Sequence, residues 1–564
     1  MADKTGRFAI IEQFIADDIH YMFGNPGTVE QGFLDALGKY DSSEYILALQ
    51  ESIAVAMADG YARATKRPTV VQLHSGVGLG NGIGMLYQAY RGHAPLVVIS
   101  SEAGIRYDAM DSQMAADLVG MAKPVTKWAT RVVHPSSLLR ILRRAIKIAA
   151  TPPTGPVFVC FPADVLDAPV EEAIVPTSIP STRVIPAPES IAQAAAMLAG
   201  SEKPLIIMGD GVAFSNAQDE LTRLAEMLGA DVWGADNSEV NISAAHPLYK
   251  GNLGHMFGFN SSKVTTQADA ILICGTYVFP EVYPYLSGMF APNAKIVHID
   301  LNAYEIAKNF PVDLGLVSDP KLTLEKLGKA LKETMAAEQK QAAQSRFADS
   351  KKAREQALTA QMEADRKERD KVPLQASRFM EELSKHVPDD LIIFDEALTS
   401  SPPILRYMPP TKPGHFFQTR GGSLGVGIPG ALGIKLAHPD KTVIGFTGDG
   451  GSMYTIQALW TAARHNIGAK FVICNNQSYM LLKLNILQYW REKGVKDGVF
   501  PDSFDLTGPM VDFVAIAKSM GVPGTRVETP DQVTPAIKQM LGHDGPFLID
   551  MVVISELPDP SSGK

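Results

Sequence analysis

The residues of this chain best placed for chemistry are an acid held in a glycine turn and a pair of asparagines after the next apolar run. Asp449 lies within Thr447-Gly448-Asp449-Gly450-Gly451-Ser452, and Asn475-Asn476 follows the run Phe471 to Cys474. A carboxylate and an amide carbonyl are hard oxygen ligands of the kind Mg²⁺ takes, with diphosphate oxygens and water to complete its octahedron. The glycines let backbone N–H groups approach phosphate oxygens at a helix N-terminus. The chemistry suggested is a diphosphate gripped through a divalent cation.

The elements around these residues would have to bring them together. Val443 to Phe446 is an apolar, partly β-branched run of strand length. Ser452 is predicted to cap a helix carrying Met453, Ile456, Leu459, Trp460 and Ala463 at helical spacing, with Gly468 placed to end it. Phe471 to Cys474 reads as a second strand. If the two strands are parallel neighbours, Asp449 and Asn476 emerge at one carboxyl edge, where α/β sheets bind ligands.

Elsewhere the chain alternates helices and strands. Candidate strands are Tyr45 to Leu49, Thr69 to Leu73, Leu96 to Ser100 and Val157 to Phe161, then Leu205 to Met208, Ala270 to Cys274 and Lys295 to Ile299. A first helix is expected over about Arg7 to Ile19, and Gly24-Asn25-Pro26-Gly27-Thr28 is a turn by composition. Proline-rich residues 175–190 read as a linker, and charged, helix-favouring residues 330–371 as a solvated connector. The fold class expected is α/β, with three doubly wound parallel-sheet domains. Their boundaries are 1–172, 188–335 and 372–564, with a helical connector at 336–371.

A chain of 564 residues with 46% hydrophobic and 20% charged residues is an ordinary multi-domain globular protein. Its net charge of −9 argues against a nucleic-acid partner. No apolar stretch approaches a membrane span, and the N-terminus carries acids and helical periodicity in place of a signal-peptide core. Cys160, Cys274 and Cys474 are far apart at or near strand-like ends, so buried free thiols and a cytoplasmic location are expected.

The GDG…NN arrangement resembles the cofactor motif of thiamine-diphosphate (ThDP) enzymes of the pyruvate oxidase and decarboxylase superfamily. The finer resemblance is to benzoylformate decarboxylases. It rests on Phe23-Gly24-Asn25-Pro26-Gly27-Thr28, Leu47-Ala48-Leu49-Gln50-Glu51, Leu73-His74-Ser75-Gly76 and Gln457-Ala458-Leu459-Trp460-Thr461-Ala462-Ala463. It covers most of the chain and is weakest in the middle.

The resemblance implies an N-terminal pyrimidine-binding domain, a middle domain and a C-terminal diphosphate-binding domain. Glu51 would contact the pyrimidine and favour the imino tautomer whose nitrogen makes the ThDP ylide; taken alone, a Glu at this place is a capping or surface residue. Thr28 and His74 would be active-site residues, with an imidazole able to relay protons near neutrality. Taken alone, His74 reads as a buried histidine bonded to its own loop.

Asp449 and Asn476 would ligate Mg²⁺ by side chain and Ser478 by its carbonyl. Asn25, Pro26, Gly27, Thr399, Ser400, Leu424, Gly448, Gly450, Gly451, Ser452, Tyr479 and Met480 would contact the cofactor, Leu424 from beneath it. Glu396 sits where the diphosphate domain opens.

The activity implied is decarboxylation or carboligation of a 2-oxo acid through an enamine. Alternatives are an acetolactate-synthase-like or 2-hydroxyacyl-CoA-cleaving relative, or a non-catalytic regulatory one. The C-terminal SELPDPSSGK shows no cationic cluster for a CoA thioester. Substrates expected are a 2-oxo acid, an aldehyde or an acyl-CoA. A homodimer is the implied minimum, with a homotetramer as its extension, because each centre joins two subunits.

Two departures bear on substrate. Val282 stands where the decarboxylases carry a middle-domain histidine, with Tyr277, Glu281, Tyr283 and Tyr285 nearby. Gln477-Ser478-Tyr479-Met480-Leu481-Leu482 is bulkier than the glycine and alanine expected there. Tyr489-Trp490-Arg491 could flank the entrance. His93 and Arg420 are further polar candidates whose structural readings come first.

Overall fold

A computed structural model describes residues 4–555 and Leu557. Residues 1–3 of the N-terminus and most of SELPDPSSGK lie outside the described residues. Three six-stranded sheets, all parallel, follow one another along the chain.

The first holds β1 (Tyr21–Gly24), β2 (Glu44–Leu47), β3 (Thr69–Gln72), β4 (Leu96–Glu102), β5 (Trp128–Arg131) and β6 (Val157–Pro162), in the order β2-β1-β3-β4-β6-β5. The third holds β13 (Ile392–Glu396), β14 (Phe416–Gln418), β15 (Val443–Gly448), β16 (Lys470–Asn475), β17 (Gly524–Val527) and β18 (Phe547–Val552), in the same relative order. Between them lie β7 (Pro204–Met208), β8 (Asp231–Gly234), β9 (Tyr249–Asn252), β10 (Ala270–Cys274), β11 (Lys295–Asp300) and β12 (Leu314–Val317). Their order is β12-β11-β10-β7-β8-β9, that of a dinucleotide-type doubly wound sheet.

The central strands are buried throughout, as parallel sheets covered on both faces require. The first and third domains pack through the helices Glu51–Thr65 and Gly427–Ala437, which share one hydrophobic core. There a Cβ on Gly60 would collide with the Gly430 carbonyl, and one on Gly433 with that of Met57. Only glycine permits this backbone approach.

A buried polar junction joins all three domains. Arg63 lies 3.6 Å from Asp59 and 3.7 Å from Glu239, and donates to Ser238 Oγ and the Gln418 carbonyl. Residues 330–371 form the end of one helix and then a helix over Ala337–Glu368, in which only Ala343 is buried. The three cysteines are buried and free.

Candidate functional site

Two clusters of the sequence candidates form, one at the carboxyl edge of each outer sheet. In the first domain, β1 ends at Gly24 and β2 at Leu47, and the chain then turns into Glu51, the first residue of its helix. Gln50 caps that helix by accepting the Ser52 N–H. Asn25 Nδ2 donates to the Ala48 carbonyl at 3.0 Å, tying the FGNPG turn to the strand end that leads to Glu51.

The LHSG segment closes on the same turn. The His74 ring lies directly on Gly27, where any Cβ would strike the imidazole. Pro26 and Thr28 are exposed beside it.

Glu51 is 8% exposed and its Oε2 accepts from Asn81 Nδ2 at 3.0 Å. A Cβ at Gly78 would lie 3.0 Å from Glu51 Oε1, so the glycine-rich helix Ser75–Arg91 leaves room for the carboxylate. His74 Nδ1 pairs with Glu30 Oε2 at 2.8 Å, and Glu30 Oε1 accepts the Ser101 N–H. Burial raises the Glu30 carboxyl above its ordinary value, while the imidazole opposes that shift.

Glu30 and Asn81 do not stand out in the sequence. Nothing local pairs Glu30 with a histidine on another strand end. The one signal for Asn81 is the run of alternating glycines around it, which helix propensity alone disfavours.

In the third domain, β15 and β16 are parallel neighbours with Gly448 opposite Cys474, so Asp449 and Asn476 emerge side by side as expected. Ser452 is not an N-cap: its hydroxyl donates to the Asp449 carbonyl. The helix begins earlier, at Asp449, with Gly448 extended before it. It stops at Ser452, and a separate helix spans Ala458–Arg464. Gly448, Gly450 and Gly451 thus form the first turn itself, and the Asp449 carboxylate belongs to it.

Asp449 Oδ1 accepts the Gly450 N–H at 2.8 Å, while Oδ2 is buried with no hydrogen-bond partner. Burial pushes its pKa up to about 6 against the pull of the Gly450, Gln477 and Ser478 amides. Asn476 Oδ1 accepts the Ser478 N–H, and Gln477 between them has a left-handed φ of 54°. The Ser478 hydroxyl donates to the Phe504 carbonyl, and the Tyr479 ring packs against Gly450.

This donor set fits a small hard cation. An orphaned carboxylate oxygen and an amide oxygen belong to residues at neighbouring strand ends, and among the described residues no group of three or more His, Cys, Asp or Glu offers a competing site.

Thr399 and Ser400 lie in the turn Leu398–Ser400 at the end of β13. The buried Glu396 brackets the bed: it accepts the N–H groups of Gly425 (2.5 Å) and Gly427 (2.6 Å) and the Thr447 hydroxyl (3.2 Å). Its pKa is pushed up to about 7 by burial. Leu424, in the loop so held, is only half-buried, unlike a core leucine. Met480 is buried, but the rest of the helix Met480–Lys493 is not, so Leu481 and Leu482 are not core either. Tyr489 is exposed and Trp490 packs on Phe500.

The remaining candidates fall elsewhere. His93 Nδ1 faces the Thr154 carbonyl, and burial lowers its pKa to about 4. Arg420 clamps Asp210 and Asp236, and Tyr277 accepts from Arg91. All three line a cavity of about 640 Å³ between the domains. Val282 is 58% exposed, Glu281 is buried against Ser261, and Tyr283 stacks on Phe257.

Among the described residues no hydrogen bond or ion pair joins a member of the first cluster to one of the second. Instead Leu47, near the first, is held by His465 and Thr461 of the third domain.

Known proteins are similar to this chain along most of its length. Residues 4–121 match the thiamine pyrophosphate enzyme N-terminal TPP binding domain, 191–327 the central domain, and 400–551 the C-terminal TPP binding domain. The chain is 30% identical to the benzoylformate decarboxylase of Pseudomonas aeruginosa, over 97% of this chain and 98% of that protein. It is also 30% identical to a probable acetolactate synthase large subunit of Methanocaldococcus jannaschii, over 97% and 92%. The structure of a thiamine diphosphate-dependent 4-hydroxybenzoylformate decarboxylase of Rhodococcus jostii superposes with a TM-score of 0.83 at 27% identity, covering 98% and 99%. With the three domain models in order and full-length relatives on both sides of the decarboxylase–synthase divide, the chain belongs to the thiamine pyrophosphate enzyme family.

Proposed function

We propose that this protein is a ThDP- and Mg²⁺-dependent 2-oxo-acid decarboxylase or carboligase. The observation that carries the reading is the pairing of two unlike edges. One offers an orphaned Asp449 oxygen beside Asn476; the other offers Glu51, anchored through one oxygen by Asn81, beside His74. ThDP, when bound, supplies a nucleophilic carbon and an electron sink for the bond cleaved next to a carbonyl. The chain's residues do the rest.

Asp449, Asn476 and the Ser478 carbonyl would hold the cation, and the amides of Gly448 to Ser452 would meet the diphosphate. Glu51 Oε1, left free by Asn81, would exchange a proton with the pyrimidine. His74, fixed by Glu30, would move protons at the substrate oxygen.

A homodimer or homotetramer would bring the clusters of two copies together. Support comes from the exposed apolar residues Leu49, Val77 and Leu398 near them and from the lack of any hydrogen bond or ion pair between the two clusters among the described residues. The buried thiols fit a cytoplasmic location; among the described residues no helix is long and apolar enough to cross a membrane.

The acetolactate-synthase-like relatives and the exposed Val282 favour ligation as a second outcome. The test is a panel of 2-oxo acids and acyl-CoA thioesters with ThDP and Mg²⁺, scored for CO₂, free aldehyde and ligated product. CO₂ release lowered at least about 100-fold by Glu51→Gln is the expected result. Acyl-CoA cleavage without CO₂ would point to a lyase; cofactor binding without turnover would point to a regulatory protein.

A further inference from the structure

The strand end that delivers Glu51 is held from outside its own domain. The Leu47 N–H donates to His465 Nε2 at 3.1 Å, and Thr461 Oγ1 donates to the Leu47 carbonyl at 3.0 Å. Leu47 is the last residue of β2, and both partners sit on or just after the helix Ala458–Arg464 of the third domain. From there the Ala48 N–H bonds to the Gly24 carbonyl at 2.9 Å and Gln50 caps the Glu51 helix. Few residues separate Leu47 from Glu51: Ala48 is buried in the core and Leu49 is 47% exposed, so these two bonds add to a stretch that core packing anchors at one residue.

We propose that His465 is a positioning residue for Glu51, holding it in place only while the imidazole is neutral. The inference rests on the role given to Glu51 above. An acceptor Nε2 requires the proton on Nδ1, which faces Glu44 Oε1 at 3.6 Å. Protonation would turn Nε2 into a donor aimed at another donor. The bond to Leu47 is then lost, and the ring is drawn toward Glu44.

The charged groups that face the ring are Glu44 on β2 and Arg464 on its own helix. Burial holds the imidazole below its ordinary value, Glu44 opposes this, and Arg464 adds to it. A histidine depressed in the fold contributes stability above its unfolded value and loses it as pH falls through the folded one. The hold is therefore intact at neutral pH and released at some point below 6.5.

The test is amide hydrogen exchange at Leu47 in the cofactor-free full chain, at steps from about pH 8 down to about pH 4.5. Wild type is compared with His465→Gln, whose carbonyl accepts at every step, and with His465→Phe, which accepts at none. Comparison at each pH cancels intrinsic exchange rates. Relative to the Gln variant, wild-type protection should fall progressively as pH drops, toward roughly tenfold once the imidazole is charged, and the Phe variant should lack it throughout.

Equal wild-type and Gln protection down to the lowest pH would overturn the switch; protection kept by the Phe variant would overturn the tie. Neither readout needs cofactor or substrate, so each stands if the proposed activity fails. If turnover is found, the acidic limb of its pH profile should shift down in His465→Gln. An unmoved limb would overturn the link to Glu51.

Discussion

The first and third sheets share one strand order but present opposite chemistry at their carboxyl edges. The first edge carries the groups proposed above to move protons: Glu51 and His74, with the buried Glu30 behind them. The third carries groups that hold charge still: the orphaned Asp449 oxygen, the Asn476 amide and the backbone of a glycine turn. On the reading proposed above, one strand order serves a proton relay at one edge and a diphosphate grip at the other; of these residues His74 and Asp449 follow corresponding strands, β3 and β15, while Glu51 and Asn476 do not. The glycine contacts between the helices Glu51–Thr65 and Gly427–Ala437 hold the first and third domains of one chain together.

Removing the proton-handling carboxylate tests the comparison hardest. Glu51→Gln keeps the shape and the Asn81 contact, so fluorescence titration should show ThDP still binding. kcat should fall about 100-fold to 10,000-fold, the contribution of a general acid or base. Lost binding with unchanged kcat would assign Glu51 to the holding side and end the contrast.

On the other edge the expected loss is in binding. Asp449→Asn leaves an isosteric side chain without the charge. Loss of a metal's second-shell partner costs roughly 10-fold to 100-fold in affinity, so a direct ligand should cost at least that for Mg²⁺.

The same variant carries a pH signature. The folded pKa of Asp449, about 6, lies above the ordinary aspartate value of 3.8, so its ionisation penalises the fold. That penalty is absent below the unfolded value and complete above about 6. A cation binds the carboxylate and relieves it. The rise in Tm on adding Mg²⁺ with ThDP should therefore be small below about 6 and grow above it. In Asp449→Asn the rise should be small and flat with pH.

How much of this was legible in the sequence follows burial and distance. The β15–β16 pair could be read because both strands are apolar and buried on both faces. The edge strands Trp128–Arg131, Tyr249–Asn252 and Leu314–Val317 were not predicted. They are short and half-exposed, so they lack the continuous apolar run of a central parallel strand. Asp449 and Asn476 were legible because one glycine turn and one strand end each announce a ligand. Glu30 and Asn81 were not, since their partners are set by tertiary packing alone. Ser452 misled because a serine before an amphipathic run is the usual cap; here glycine amides already begin the turn.

Glu30→Gln probes the first edge more gently. His74 Nδ1 would keep a hydrogen-bond partner but lose its charge. Hydrogen bonds to charged groups are worth roughly 1.5–3 kcal/mol, so kcat should fall about tenfold with KM nearly unchanged. Steady-state kinetics separate these. A change in KM alone would make Glu30 a packing residue.

The middle sheet, with its different strand order, supplies neither cluster, and its Val282 offers the smallest and most selective change. Val282 is 58% exposed, so a larger polar side chain fits without repacking and stability should move by less than about 0.5 kcal/mol. If the assembly brings Val282 to the proposed centre, as the resemblance implies, Val282→His would add a second proton source beside His74. Faster protonation after CO₂ loss favours free aldehyde; slower protonation leaves time for a second carbonyl to add. With a 2-oxo acid and an acceptor aldehyde present, the ratio of free aldehyde to ligated product should rise severalfold while CO₂ release changes little. An unchanged ratio would leave proton delivery wholly to His74 and remove Val282 as the reason for ligation.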